Sequence, residues 1–381
     1  MPSLDCFSEI AMTAQLSSAR AERLFEVLDR GSSSTCLITD LSDIRWLTGF
    51  SGSHAWLVTH AHKMYLITDG RYIEQARAEI ATQQANVEVI ECRTQAEMLR
   101  TTFALTQGSL VVQFQDAHVS QQLFCLLQAE LSNSLKPLDV SSKFLRRFKD
   151  DEEIKIIESA CRIADEALTH CRDLLSTGVT ESHFRDEIDY TMRKLGADGP
   201  SYDTIVASGP IHAARPHHRP TNSMIDDGHT VIIDVGALVS GYHSDMTRTY
   251  LLGEVDPVLQ TMLDVVTEAQ SCGVAAVRAG ELPSEIDRIC RAFITEAGFG
   301  PEFVHGTGHG VGLNIHESPW LRAQSNEPLR EGEVVTVEPG VYRVGLGGVR
   351  IEDLLLVRAA GSTTLTHTPK DSLCLQSRQT I

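Results

Sequence analysis

Short apolar runs alternate with helical stretches from residue 17 to about residue 140, and Cys36–Ile38, Ala55–Val58, Tyr65–Ile67 and Ser109–Val112 read as strands. That alternation predicts an α/β unit. A polar, basic stretch at 141–149 then leads through Asp150 and Asp151 into a segment where Ile154, Ile157, Cys161, Ala164, Leu168, Cys171 and Leu175 recur every three or four residues. This is the spacing of one buried helical face, and the acidic residues of its first turn complement the positive end of the helix dipole. We place a domain boundary near Ser142, giving segments 1–142 and 143–381. After Thr230 the pattern changes. Val231–Val235 and His243–Leu252 read as a hairpin turning about Ser240 and Gly241. Helical patterns return over Val258–Ala279 and Ser284–Ala297, and a second strand pair, Val334–Val341 and Gly348–Val357, turns at Gly345. The second segment therefore reads as a weak internal repeat of strand pairs and helices.

Both hairpins carry paired acids. Asp234 and Asp245 are equally spaced about a turn centred between Val239 and Ser240, so a regular ladder would set them opposite each other. The same spacing about Gly345 sets Glu338 opposite Glu352. A carboxylate inside Val-Ile-Ile-Asp-Val or Val-Thr-Val-Glu-Pro costs several kcal/mol unless a partner or a cation offsets it. Four acids in matched hairpins point to something positive between them. The stretch from His305 to Glu317 adds three histidines, His305, His309 and His316, among glycines that allow close backbone approach and are read as freeing space for a ligand. One imidazole with four carboxylates is an oxygen-rich ligand set for two divalent ions, suited to Mn, Co or Zn and to hydrolysis.

The whole-chain balance narrows the class. At 381 residues the chain exceeds what one core usually serves. Lys and Arg total 33 against 51 Asp and Glu, a net charge of −18 that repels nucleic-acid backbones and anionic membrane surfaces. The nine cysteines are scattered without CxxC spacing, which fits reduced thiols in a cytoplasmic protein. Residues 1–16 lack the basic start and apolar run of a signal peptide, and no later run is long enough to span a bilayer.

The order Asp234, Asp245, His309, Glu338, Glu352 stands within Val231-Ile-Ile-Asp-Val-Gly-Ala237, His243-Ser-Asp-Met-Thr-Arg-Thr-Tyr250, Gly308-His-Gly-Val-Gly312, Glu338-Pro-Gly-Val-Tyr342 and Val349-Arg-Ile-Glu-Asp353. These motifs closely resemble the pita-bread metallopeptidases. Ile44-Arg-Trp-Leu-Thr-Gly-Phe50 and Thr68-Asp-Gly-Arg-Tyr72 resemble the creatinase-type N-terminal domain of the proline-specific members, aminopeptidase P and prolidase. The resemblance implies an α/β (α+β) chain with an N-terminal creatinase-like domain and a C-terminal pita-bread catalytic domain.

By the resemblance, Asp234, Asp245, His309, Glu338 and Glu352 would hold two divalent ions, Mn(II) by expectation with Co(II) or Zn(II) as alternatives. Glu338 would also act as general base. His217, beside His218, would contact substrate, and His305 and His316 would orient it and stabilise the developing charge. Arg350 and Tyr342 would stand near the metals within reach of substrate. Trp46, Asp69, Arg71 and Tyr72 are read as either fold-closing or functional. The implied activity is metal-dependent cleavage before proline at peptide N-termini, by a homodimer. An Xaa-Pro dipeptidase, a metal-dependent lyase of small sulfonium compounds and a non-catalytic scaffold on the same fold stay open as alternatives.

Overall fold

A computed structural model of the chain describes residues 19–29, 35–83, 86–131, 134–138, 145–176, 178–370 and 374–375. The boundary expected at Ser142 and the leader reading of residues 1–16 fall outside them. The chain divides into two compact units, Met1–Arg146 and Arg147–Ile381.

In the first unit a six-stranded mixed sheet runs in the order β4-β3-β2-β1-β5-β6. Its strands are β1 (Cys36–Ile38), β2 (Ala55–His60), β3 (Lys63–Thr68), β4 (Val87–Glu91), β5 (Val111–Phe114) and β6 (Ser134–Pro137). The runs Cys36–Ile38, Ala55–Val58 and Tyr65–Ile67 lie inside β1, β2 and β3, and the fourth run overlaps β5. Helices Gln95–Leu105 and Gln121–Glu130 supply Met98, Leu99 and Leu127 to a core with Leu37, Trp56, Val58, Ile67 and Val112. Helix Leu41–Thr48 is capped by the Asp40 side chain and ends at Gly49, whose φ of 76° is the left-handed conformation such a stop requires. Trp46 is buried in that helix, and the guanidinium of Arg23 lies over its ring. Asp69 grips Arg71, and Tyr72 meets Ser53 through its hydroxyl and Phe50 edge-on.

The second unit opens with helix Asp151–Cys171, whose capping box joins Asp150 and Glu153 reciprocally. Helix Glu181–Lys194 follows. Strands β7 (Gly199–Pro200), β8 (Ile205–Ser208), β9 (Thr230–Val235), β10 (Ala237–Val239), β11 (Tyr242–His243) and β12 (Met246–Leu252) come next. The predicted helices appear as Pro257–Ala276 and Pro283–Glu296. The C-terminal strands are β13 (Gly308–Gly310), β14 (Glu317–Leu321), β15 (Val334–Val337), β16 (Gly340–Arg343), β17 (Gly347–Arg350), β18 (Asp353–Arg358), β19 (Gly361–Thr364) and β20 (Cys374–Leu375). Two larger sheets result, β20-β12-β9-β8 and β14-β13-β15-β18-β19. Their apolar faces meet the helices in one core containing Ile163, Phe184, Val231, Ile233, Leu263, Val266, Ile286, Val335 and Leu355. Apart from Asp234, every residue of β9 and β12 is buried, including Thr247, Arg248 and Thr249 of β12.

Candidate active site

The first hairpin turns through Ser240 and Gly241, at φ 46° and 78°. Positive φ at both central residues matches the twist of the flanking strands. This moves the ladder by two residues from the expected register. Asp234 pairs with Thr247 rather than Asp245, and Leu238↔His243 and Val239↔Tyr242 continue the same ladder. A two-residue displacement keeps side-chain parity, so Asp234 and Asp245 still share a face as diagonal neighbours. That register sets Asp245 opposite Gly236, where an added Cβ would lie 2.0 Å from the Ser244 carbonyl oxygen. Tyr202, from the loop before β8, ties the two acids together: its hydroxyl lies within hydrogen-bond reach of Asp234 Oδ1 and, at 2.6 Å, of Asp245 Oδ1.

The second hairpin keeps its predicted register. Val337↔Asp353 and Gly340↔Arg350 flank Glu338 and Glu352 and set them opposite each other across a turn at Gly345. Each expected long strand is nevertheless broken in two at its glutamate. Pro339 has no N–H for the ladder, the Glu338 N–H goes to Thr307 O (2.8 Å), and the Glu352 N–H goes to Thr247 O (3.1 Å). The Glu352 bond fastens the two hairpins to each other, and the Glu338 bond ties the second hairpin to the residue before β13. Thr247 Oγ1 also donates to Glu352 Oε2 at 2.7 Å.

His309 stands on β13. Its Nδ1 meets Gly310 O at 3.1 Å, which assigns the proton to Nδ1 and leaves Nε2 as a lone-pair donor, 3.6 Å from Asp245 Oδ2 and 3.5 Å from Glu338 Oε1. Gly306 and Gly308 line the cavity over these groups, and the glycines on β13 also serve strand packing. A Cβ at Gly308 would lie 2.1 Å from Thr336 O, and one at Gly310 2.4 Å from Ser318 O, so these positions let strands approach one another.

Asp245, His309 and Glu352 are buried and each offer one ligand atom, all within 4.8 Å of one another. Asp245 is held well above the usual carboxylate range by burial and by Asp234, Glu352 by burial and by Asp245, and Glu338 is raised by burial first. Arg350 Nη2 pairs with Asp234 at 2.6 Å. Buried carboxyls that repel one another around an imidazole lone pair are what a divalent cation neutralises, so this donor set fits bound metal.

A cavity of about 490 Å³ opens over these groups. All five expected ligands line it, as do His217, His305, His316 and Arg350. His316 meets His309 edge-on at 4.4 Å and stacks along Trp320. Burial lowers the pKa of His305, His309 and His316, which favours their neutral forms. Arg350 is buried with its donors engaged: Nε meets Thr247 Oγ1, Nη1 meets Pro216 O and the Tyr342 hydroxyl, and Nη2 meets Asp234. Tyr342 does not line the cavity. Its hydroxyl is held between Arg350 Nη1 (2.9 Å) and His305 Nε2 (3.0 Å), behind the histidine rather than at the expected substrate surface. Sequence reasoning missed Tyr202, Thr247, Trp320 and Arg322. Tyr202, Trp320 and Arg322 line the cavity, and the nearest signal was the aromatic and cation following His316 and Glu317.

Residues 155–359 match the family described as Metallopeptidase family M24, and residues 20–147 match the Creatinase/Prolidase N-terminal domain. A Pyrococcus furiosus protein named Xaa-Pro dipeptidase is 34% identical over 364 residues, covering 93% of this chain and 99% of that one. The structure of an Xaa-Pro dipeptidase from Bacillus anthracis superposes with a TM-score of 0.89 at 34% identity, over 94% of this chain and 100% of that one. An X-Pro aminopeptidase from Thermotoga maritima gives a TM-score of 0.85 at 30% identity, over 93% and 99%. With both of its units matched and its acidic hairpins in place, the chain belongs to metallopeptidase family M24 and carries that family's creatinase/prolidase-type domain at its N-terminal side.

Proposed function

We propose that this chain hydrolyses the bond between an N-terminal residue and a following proline, as an Xaa-Pro aminopeptidase. The observation that carries the reading is the convergence of four carboxyls and the His309 lone pair on one cavity wall, in a chain whose relatives bear Xaa-Pro peptidase names. The dipeptidase names of the Pyrococcus furiosus and Bacillus anthracis proteins favour a second reading, cleavage of Xaa-Pro dipeptides.

The bond before proline is a tertiary amide without an N–H, so recognition falls on the carbonyl, the free amine and the ring. Asp234, Asp245, His309, Glu338 and Glu352 would hold two divalent ions, Mn(II) in our reading with Co(II) or Zn(II) as alternatives. Metal bound there would supply Lewis-acid polarisation of the scissile carbonyl and activation of water. Glu338 takes the proton of the attacking water on its carboxylate. Burial favours the neutral form of His305, and Tyr342 and Gly306 orient its ring by engaging both nitrogens, so it shapes the substrate's side of the cavity while His316 and His217 face the charge growing on the carbonyl oxygen. Arg350 fixes Asp234 and Tyr342, acting on the reaction through them.

The free, mostly buried cysteines among the described residues support a cytoplasmic setting. No helix in the described residues is long and apolar enough to cross a membrane, and the charge of −18 disfavours nucleic acid. A homodimer is inferred from the resemblance and is tested by sedimentation. The activity is tested with matched Xaa-Pro, Xaa-Pro-Yaa and proline-free peptides. Faster release from the tripeptide supports the aminopeptidase, preference for the dipeptide supports the second reading, and equal cleavage of the proline-free peptide rejects both.

A further inference from the structure

A second buried cluster of acid and imidazole groups gathers on Glu181, at the start of helix Glu181–Lys194 and outside the cavity lining. Glu181 is 0% exposed. Its Oε1 accepts from the Ser208 N–H (2.8 Å), the Ser208 hydroxyl (3.0 Å) and His212 Nδ1 (3.0 Å). Its Oε2 accepts from His218 Nε2 (3.0 Å), the Thr221 N–H (3.0 Å) and the Thr221 hydroxyl (2.9 Å). The His212 and His218 rings stack at 4.1 Å. With backbone N–H groups and hydroxyls already filling both oxygens, the cluster is a hydrogen-bonded hub rather than a cation site. Burial alone would raise the pKa of Glu181, but the donors from Ser208, His218, His212 and Thr221 outweigh it and hold the group below the usual range, so it stays charged.

The hub reaches the cavity through the chain. His218 follows His217, which lines the cavity, and the preceding Pro216 offers its carbonyl to Arg350 Nη1 at 3.1 Å. Ser208 ends β8, whose Ile205 pairs with Asp234. The turn carrying His217 is thus held by Arg350 on one side and by Glu181 on the other. We propose that Glu181 is a positioning residue whose carboxylate, acting through His218 and Thr221, fixes the turn that presents His217 to the substrate. The inference rests on the reading of His217 as a substrate contact. Charge-assisted bonds to a buried carboxylate are the strong kind, and a displaced contact group costs turnover even when the change lies away from the chemistry.

The test is a double-mutant cycle on the full-length, Mn(II)-loaded protein, using Glu181→Gln and His217→Ala with an Xaa-Pro-Yaa tripeptide and with thermal midpoint and bound metal measured for every variant. Glu181→Gln should lower kcat/KM about 10- to 100-fold, but less than about threefold when His217 is already alanine. Equal losses in both backgrounds, or no loss, would overturn the proposal. Should Glu181→Gln fail to fold, His218→Phe keeps the stacked ring while removing the N–H donor and must show the same dependence on His217. Should the wild type cleave no Xaa-Pro peptide, the functional reading fails separately. The positioning claim is then decided by the imidazole NMR signals: Glu181→Gln must shift that of His217, and an unmoved signal overturns it.

Discussion

Replacing Asp245 by asparagine should stabilise the metal-free protein and destabilise it relative to wild type once metal is added. The ligand atoms of Asp245 and Glu352 lie within 4.8 Å of each other, and two unit charges at that separation repel by about 3 kcal/mol at an effective dielectric near 20. Asparagine removes one charge while keeping an oxygen for the Tyr202 hydroxyl, now 2.6 Å from Asp245 Oδ1. The wild type already escapes part of the repulsion by taking up protons, as the raised pKa values of Asp245 and Glu352 show. The net gain is therefore about 1–2 kcal/mol, or about 2–8 °C in the unfolding midpoint of a domain this size.

A carboxyl with a raised folded pKa contributes stability that is present below its unfolded value near 4 and is lost as pH rises through the folded value. The variant's advantage should therefore grow as pH rises above about 4. Metal at 100 times its dissociation constant stabilises the wild type by about 2.7 kcal/mol, a gain the variant largely forfeits, so the two melting curves should exchange order. Thermal unfolding with and without Mn(II) reads both effects. A metal-free variant that melts below metal-free wild type would refute the repulsion argument.

Tyr202→Phe removes the hydroxyl shared by Asp234 and Asp245 and should weaken metal binding at least about 10-fold without unfolding the protein, measured by competition with a chelator. Asp353→Asn leaves buried Arg248 without its carboxylate partner and should cost about 3–5 kcal/mol, read from the urea midpoint. Burial raises the pKa of Asp353, but Arg248 and Lys370 more than offset this and hold it low. Its contribution is thus present above about pH 4 and lost as pH falls through the folded value, and the variant should lose that acid dependence. Gly236→Ala sets a Cβ against the Ser244 carbonyl and 2.8 Å from Ser201 Cβ. It should cost about 1–3 kcal/mol and weaken metal binding by displacing Asp245, which isothermal titration measures.

What the sequence showed, and what it hid, follows from where backbone detail matters. The apolar runs and the helical face from Ile154 to Cys171 were legible because burial periodicity specifies them, and helix Asp151–Cys171 follows that face before a 3₁₀ turn takes over at Arg172. Glu338 and Glu352 were correctly paired because Gly345 marks its turn. Asp234 and Asp245 were misregistered by two residues because the ladder was centred between Val239 and Ser240, whereas the left-handed pair Ser240 and Gly241 makes the turn and centres it one residue later. Their shared face survived because strand parity is unchanged. The strand breaks at Glu338 and Glu352 were hidden because they arise from hydrogen bonds to Thr307 and Thr247, partners distant in sequence. Tyr202 and Glu181 were invisible for the same reason: each acts through tertiary bonds that no local pattern encodes.

The central claim is that the two acidic hairpins and His309 form a metal centre that cuts before proline. Its most direct test titrates Mn(II) into metal-stripped protein while following both bound metal and release of the N-terminal residue from an Xaa-Pro-Yaa tripeptide. The account predicts no cleavage without metal, and cleavage that rises as the site fills and is lost in Asp245→Asn. Full cleavage by the stripped protein, or a filled site that releases nothing from any Xaa-Pro peptide, would contradict it.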